Sequence, residues 1–76
     1  MKENRLERLV RLAELRNEKG WSQEGVASIL EIQRPQYTLY ETGKTEMPIK
    51  YLIILANFYG VSIDYIVGEA DVRDRI

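Results

Sequence analysis

Helical periodicity, cut at short intervals by residues that stop a helix, constrains this chain more than any other feature. Between Glu3 and Glu18 the apolar residues Leu6, Leu9, Val10, Leu12, Ala13 and Leu15 recur at helical spacing with charges between them. Lys19-Gly20 closes that helix, the glycine supplying a left-handed C-terminal cap. Trp21-Ser22 restarts the chain, with Ser22 as N-cap and Glu24 well placed in the first turn. A second helix covers Gln23 to Leu30, with Val26, Ala27 and Leu30 on one face. Glu31-Ile32-Gln33 is a tight connection. A third helix begins near Arg34, where Pro35 fits the first turn because no amide donor is needed there. It runs through Tyr37 and Tyr40 and stops at Thr42-Gly43-Lys44. After a loop to Met47, Pro48 opens a fourth helix that runs to Tyr59 and is capped by Gly60. Ser62 caps a last single turn, Ile63 to Val67, ended by Gly68. The expectation is an all-α domain of five short helices over residues 1–68, followed by a short polar tail, 69–76.

Composition narrows the class. At 76 residues the chain buries about 60% of its unfolded surface, so its stability is modest. Its 45% apolar content suffices for one core. With neither cysteine nor histidine, the chain lacks the commonest general base and the commonest metal ligands. No glycine-rich phosphate loop is present, and the carboxylates lie on charged helix faces beside Lys and Arg. The expectation is a non-enzyme with no cofactor and no metal. The longest apolar stretch, Tyr51 to Ala56, is too short to span a bilayer, and no signal peptide opens the chain. A soluble, cytoplasmic protein with no membrane partner is expected. Eleven basic residues face twelve acidic ones, whereas DNA binders usually carry a basic excess. The distribution matters more than the sum: Arg5, Arg8, Arg11 and Arg16 cluster early, while Glu69, Asp71 and Asp74 sit at the end.

The segment Gln23 to Tyr40 reads as two helices joined by a very short turn, with Ala27 packing closely at the crossing and Ile32 buried in the turn. This is the arrangement of a helix-turn-helix unit, whose second helix enters the major groove while the first crosses the phosphate backbone. Helical bundles also contain such pairs. The ordered set Leu12-Ala13-Glu14-Leu15-Arg16, Gly20-Trp21-Ser22-Gln23-Glu24, Val26-Ala27, Tyr40-Glu41-Thr42-Gly43-Lys44, Pro48, Leu55-Ala56 and Tyr59-Gly60-Val61-Ser62 resembles the Cro/cI-type (XRE-like, lambda-repressor-like) helix-turn-helix family. The match runs from about Arg8 to Val67. The ending Phe58 to Gly68 is similar to a version common among phage repressors and small regulators of Gram-positive bacteria.

The resemblance implies a compact five-helix lambda-repressor-like fold and a sequence-specific regulator of transcription, a repressor, reading double-stranded DNA as a homodimer at a palindromic operator. It assigns base reading to Gln33, Arg34, Pro35, Gln36, Thr38 and Leu39, against the alternative of a plain solvated face. Arg can bind guanine, and Gln adenine, with two hydrogen bonds each, worth about 1–3 kcal/mol. Ser22 and Gln23 sit at a helix N-terminus, a natural phosphate site as well as an ordinary cap. Thr42, Lys44 and Thr45 follow the third helix where the family contacts phosphate. Arg16 and Glu41 occupy the positions of a structural ion pair. Two departures stand out. Glu31 replaces the usual glycine of the turn and tolerates a left-handed backbone poorly, so a slightly different turn is expected. Leu39 replaces a residue that is often polar, and can make only apolar contacts, such as with a thymine methyl.

Tyr37 and Tyr40 are expected to be core residues whose hydroxyls reach the surface rather than stacking platforms for single strands. Tyr51, Ile54 and Phe58 form a stripe distinct from Leu52, Leu55, Ala56 and Tyr59, so the fourth helix is nearly apolar all round, with Lys50 and Asn57 the exceptions. A stripe of this kind suggests a dimer interface; the alternative is cover by the fifth helix and tail. On the same fold, an antitoxin or protein-interaction module with a small protein partner is the competing function.

Overall fold

The computed structural model describes residues 5–69, with side chains from Leu9 onward. The helices in order are α1 (Arg5–Glu18), α2 (Gln23–Leu30), α3 (Arg34–Glu41), α4 (Ile49–Tyr59) and the single turn α5 (Ile63–Ile66). No strand occurs among the described residues. The expected start of α1 at Glu3, the side chains of Arg5, Leu6 and Arg8, and the stretch 70–76 with Asp71 and Asp74 lie outside what is described.

Local chemistry sets most boundaries. Ser22 Oγ accepts a hydrogen bond from the Gly25 amide and Ser62 Oγ from the Tyr65 amide, both at 2.9 Å, and each starts its helix. Pro48 stands as the N-cap of α4 rather than inside it: its backbone is extended, and its carbonyl takes the Tyr51 and Leu52 amides. α5 ends one residue earlier than expected. Val67 is its C-cap, because the amides of Gly68 and Glu69 turn back onto the carbonyls of Tyr65 and Asp64.

The turn between α2 and α3 does not deviate as its glutamate suggests. Glu31 adopts the left-handed conformation, φ 61° and ψ 41°, and is the sole non-glycine with positive φ among the described residues. Its amide donates to Ser28 O at 3.0 Å, and the Ile32 amide donates to Ala27 O at 3.0 Å. These are the two bonds of a Schellman motif, with Glu31 in the place glycine normally fills. Ile32, half-buried against the core rather than fully enclosed, supplies the apolar contact that usually accompanies the motif. The paired amides and this contact outweigh a left-handed penalty of about 1–2 kcal/mol.

Every helix contributes an enclosed side chain to one core: Leu12 and Leu15 from α1, Val26 from α2, Tyr37 from α3, Leu55 from α4 and Ile66 from α5. Ala27 is buried where α2 and α3 pack together, small enough to let the backbones approach. α5 returns to α1, where Arg11 Nη1 donates to Tyr65 O at 3.0 Å and the guanidinium lies 4.3 Å from the centre of the Tyr65 ring. The outcome is that α3 is held from behind and its other side is left open.

Replacing Glu31 with glycine removes the left-handed penalty and adds the backbone entropy cost of glycine, about 0.5–1 kcal/mol. Glu31→Gly should therefore be more stable by up to about 1 kcal/mol, raising the melting temperature by a few degrees in a domain this size. A lower melting temperature by calorimetry would show that the glutamate side chain stabilises the turn.

Candidate nucleic-acid interface

The inner side of α3 is organised around one carboxylate. Glu41 is 7% exposed, and four donors converge on it. Arg16 Nε donates to Oε2 at 2.9 Å and Arg16 Nη2 to Oε1 at 3.2 Å, giving a two-pronged ion pair between α1 and α3. Gln23 Nε2, at the start of α2, donates to Oε1 at 2.8 Å. Tyr37 Oη donates to Oε2 at 2.9 Å from one turn earlier in α3. Three helices are thus joined through a single side chain. Arg16 Nη1 also donates to the Trp21 carbonyl at 3.0 Å, which ties in the entry to α2.

Electrostatics follow from this geometry. Burial alone would push the Glu41 carboxyl up, but the hydrogen bonds from Arg16, Gln23 and Tyr37 together hold it below its ordinary value. The hydrogen bond to Glu41 raises Arg16, against the opposing effect of its partial burial. Burial pushes the Tyr37 hydroxyl up, and the charge of Glu41 adds to it. The Tyr59 hydroxyl is pushed up to about 12 by burial and then by Glu41. Contrary to the expectation of a hydroxyl at the surface, Tyr37 is fully enclosed and its hydroxyl points inward to Glu41.

The outer side of α3 is different. Gln33, Arg34, Pro35 and Leu39 are exposed, and Gln36 and Thr38 are half-buried. Gln33 is the N-cap by backbone only, its side chain making no capping bond. The side chains of Gln33, Arg34 and Gln36 have no hydrogen-bond or ion-pair partner among the described residues. Thr38 is committed: its hydroxyl lies 2.7 Å from Gln23 Oε1 and 3.1 Å from Arg34 O, both acceptors, so its hydrogen is used internally. Gln23 in turn has its amide nitrogen on Glu41 and its oxygen on Thr38, so the side chain bridges α2 and α3 in one orientation. Neither residue type nor spacing announces that bridge.

Ser22 and Lys44 are exposed, while Thr42 and Thr45 are half-buried. The Thr42 hydroxyl donates back to Thr38 O at 2.8 Å. The amides of Lys44 and Thr45 both donate to Leu39 O, at 3.0 and 3.2 Å, folding this loop onto the C-terminal end of α3. A lysine there sits at the favourable negative end of the helix. Among the described residues no group of His, Cys, Asp or Glu could hold a metal ion, and no helix is long and apolar enough to cross a membrane.

On α4 the exposed stripe is shifted from the expected one. Ile54 and Phe58 are exposed, but Tyr51 turns inward, half-buried, with its ring 5.9 Å from that of Tyr40. Ile49 and Ile53 take its place and are more exposed, at 61% and 47%. Their four-residue spacing was available as a signal. Trp21 has a packing role that its place before the N-cap does not state outright. Its ring meets Phe58 edge-on at 5.3 Å and covers Gly25, where a Cβ would lie 2.8 Å from Trp21 Cε3. An aromatic residue directly before an N-cap serine could have signalled this packing.

Comparison with known proteins agrees with this architecture. A family model described as helix-turn-helix matches residues 12–66. The chain is 45% identical over 56 residues to the SPbeta prophage-derived uncharacterized HTH-type transcriptional regulator YonR of Bacillus subtilis, covering 74% of this chain and 52% of that protein. It is 41% identical over 61 residues to the uncharacterized HTH-type transcriptional regulator YqaE of the same organism, covering 79% and 53%. A third B. subtilis relative, the HTH-type transcriptional regulator AnsR, is 35% identical over 61 residues, covering 80% and 53%. The chain spans about half the length of these relatives. No solved structure matches significantly.

Because Glu41 carries a lowered folded-state value, its contribution to stability is present above the ordinary carboxylate value of about 4.5 and is lost as the pH falls through the folded one. Thermal stability should therefore fall on acidification from about pH 5 downward. Glu41→Gln should cost about 3 kcal/mol at neutral pH, by stranding Arg16, and should flatten that acid limb. Equal melting temperatures for the variant and the parent at pH 7 would show that the pair is dispensable.

Proposed function

This chain belongs to the helix-turn-helix family in its XRE-like form, and we propose that it is a sequence-specific double-stranded DNA-binding regulator of transcription, reading the major groove with α3. The observation that carries this reading is the two-sidedness of α3. Its inner face is locked to α1 and α2 through Glu41, while Gln33, Arg34 and Gln36 face outward with no internal hydrogen-bond partners. A helix held in this way presents side chains to base edges without having to be ordered on binding. Arg34, on the first exposed turn beside Pro35, is the candidate for guanine. Gln36 can pair with adenine, and Thr38, with its hydrogen already used, can only accept. Ser22, Gln23 and the first amides of α2, with Lys44 and Thr45 after α3, are proposed to meet phosphates, whereas Thr42 has both its hydroxyl hydrogen and its amide on Thr38 O and drops out of that set.

One such unit makes few base contacts, so the functional form is a homodimer, joined through Ile54 and Phe58 with Ile49 and Ile53 beside them. Tyr51 contributes from the flank. Two copies related by a twofold axis would read a palindromic operator with half-sites roughly 34 Å apart. A dimer bound across a promoter would exclude polymerase, so repression is the regulatory outcome proposed.

Selection of bound sites from random duplex DNA tests the whole reading. The expected product is a symmetric site. Arg34→Ala should relax the preference at one position in each half-site, at a cost of about 1–3 kcal/mol. Lys44→Ala should weaken all sequences alike and lower the salt slope by about one per contact. Ile54→Glu should stay folded, sediment as a monomer and bind the symmetric site weakly. Absence of salt-dependent binding to any duplex would overturn the proposal and favour a protein-binding module.

A further inference from the structure

The outward surface of α3 is polar except for two side chains. Pro35 and Leu39 stand four residues apart and share one face of the helix. Both are exposed, Leu39 by 37%. The backbone at Leu39 is anchored twice, its carbonyl accepting from the amides of Lys44 and Thr45, with the Thr42 hydroxyl 3.4 Å away. That anchoring fixes where the leucine side chain leaves the helix. Neither Leu39 nor the proline ring offers a donor or an acceptor, so the ridge cannot read a base edge by hydrogen bonding. Two cations flank it, Arg34 beside Pro35 and Lys44 on the anchoring loop. Both are exposed, and neither is ion-paired among the described residues. An apolar ridge between two available cations fits a polyanion that carries small apolar groups.

In the major groove the apolar group that a base presents is the C5-methyl of thymine. We infer that Leu39, supported by Pro35, is a specificity-determining residue that reads a thymine methyl, one in each half-site. This deepens the proposed function and rests on it. Recognition is by removal of the methyl from water, and therefore distinguishes thymine from uracil, which has the same hydrogen-bonding edge. It differs from the role of Arg34, whose guanidinium reads hydrogen-bond acceptors.

The test starts from the site that the parent selects and replaces its thymines one at a time with deoxyuridine. At one position per half-site, uracil should weaken binding by the parent about three- to fourfold, the effect of one buried methyl group. Leu39→Ala should lose this sensitivity while keeping the Arg34-dependent preference and the melting temperature of the parent. Leu39→Gln, of similar length but polar, should lose it as well. Equal binding of thymine and uracil duplexes at every position would overturn the inference and leave DNA reading intact. So would uracil sensitivity that persists in both variants. If no duplex is bound at all, DNA reading itself fails and this inference falls with it.

Discussion

A buried carboxylate is costly unless its lone pairs are filled, and Glu41 has four donors from three other residues. Each donor comes from a place that must be right for the bond to form. Arg16 requires α1 to lie across the end of α3, Gln23 requires α2 to begin beside it, and Tyr37 requires the preceding turn of α3 to be helical. The carboxylate therefore acts as a checkpoint on the mutual placement of three helices. Apolar packing alone is less selective, because alternative packings of similar volume have similar energies. In a chain this short, with total stability on the order of 5 kcal/mol, one such group weighs heavily.

The same arrangement separates the two sides of α3. Polar capacity on the inner side is used up: Gln23 bridges Glu41 to Thr38, and Thr38 donates internally. The outer side keeps its capacity unspent in Gln33, Arg34 and Gln36. The loop after the helix is folded back so that Lys44 lies near the end of the reading surface, and the same two amide bonds fix the backbone of Leu39. Orientation of the helix and placement of its readers thus have a common origin in bonds made within the fold.

Much of this was legible in the sequence, because the signals are local. Ser22 and Ser62 mark helix starts by a bond to an amide three residues on, and Gly60 ends α4 in the left-handed conformation that a glycine permits. What escaped depends on neighbours distant in sequence or on competing energies. Glu31 predicts a slightly different turn, but the Schellman bonds and the partial burial of Ile32 pull it into the left-handed region. Tyr37 was expected to show its hydroxyl, yet a charged acceptor one turn later draws it inward. Tyr51 leaves the exposed stripe because its ring packs toward Tyr40 of another helix, and helical periodicity alone does not fix which flank a wide aromatic side chain takes. The role of Gln23 as a bridge has no sequence signature, since it exists only once Arg16, Glu41 and Thr38 have been brought together.

The central claim is that Arg16 and Glu41 act as one unit. A double-mutant cycle tests it most directly, comparing Arg16→Met, Glu41→Gln and the double variant by urea unfolding, in an osmolyte that keeps weakened variants folded. The double variant should cost less than the sum of the single variants by about 2 kcal/mol or more, because each single change strands the other partner. Costs that add to within about 0.5 kcal/mol would contradict the account, since independent residues cannot be what holds α1 against α3.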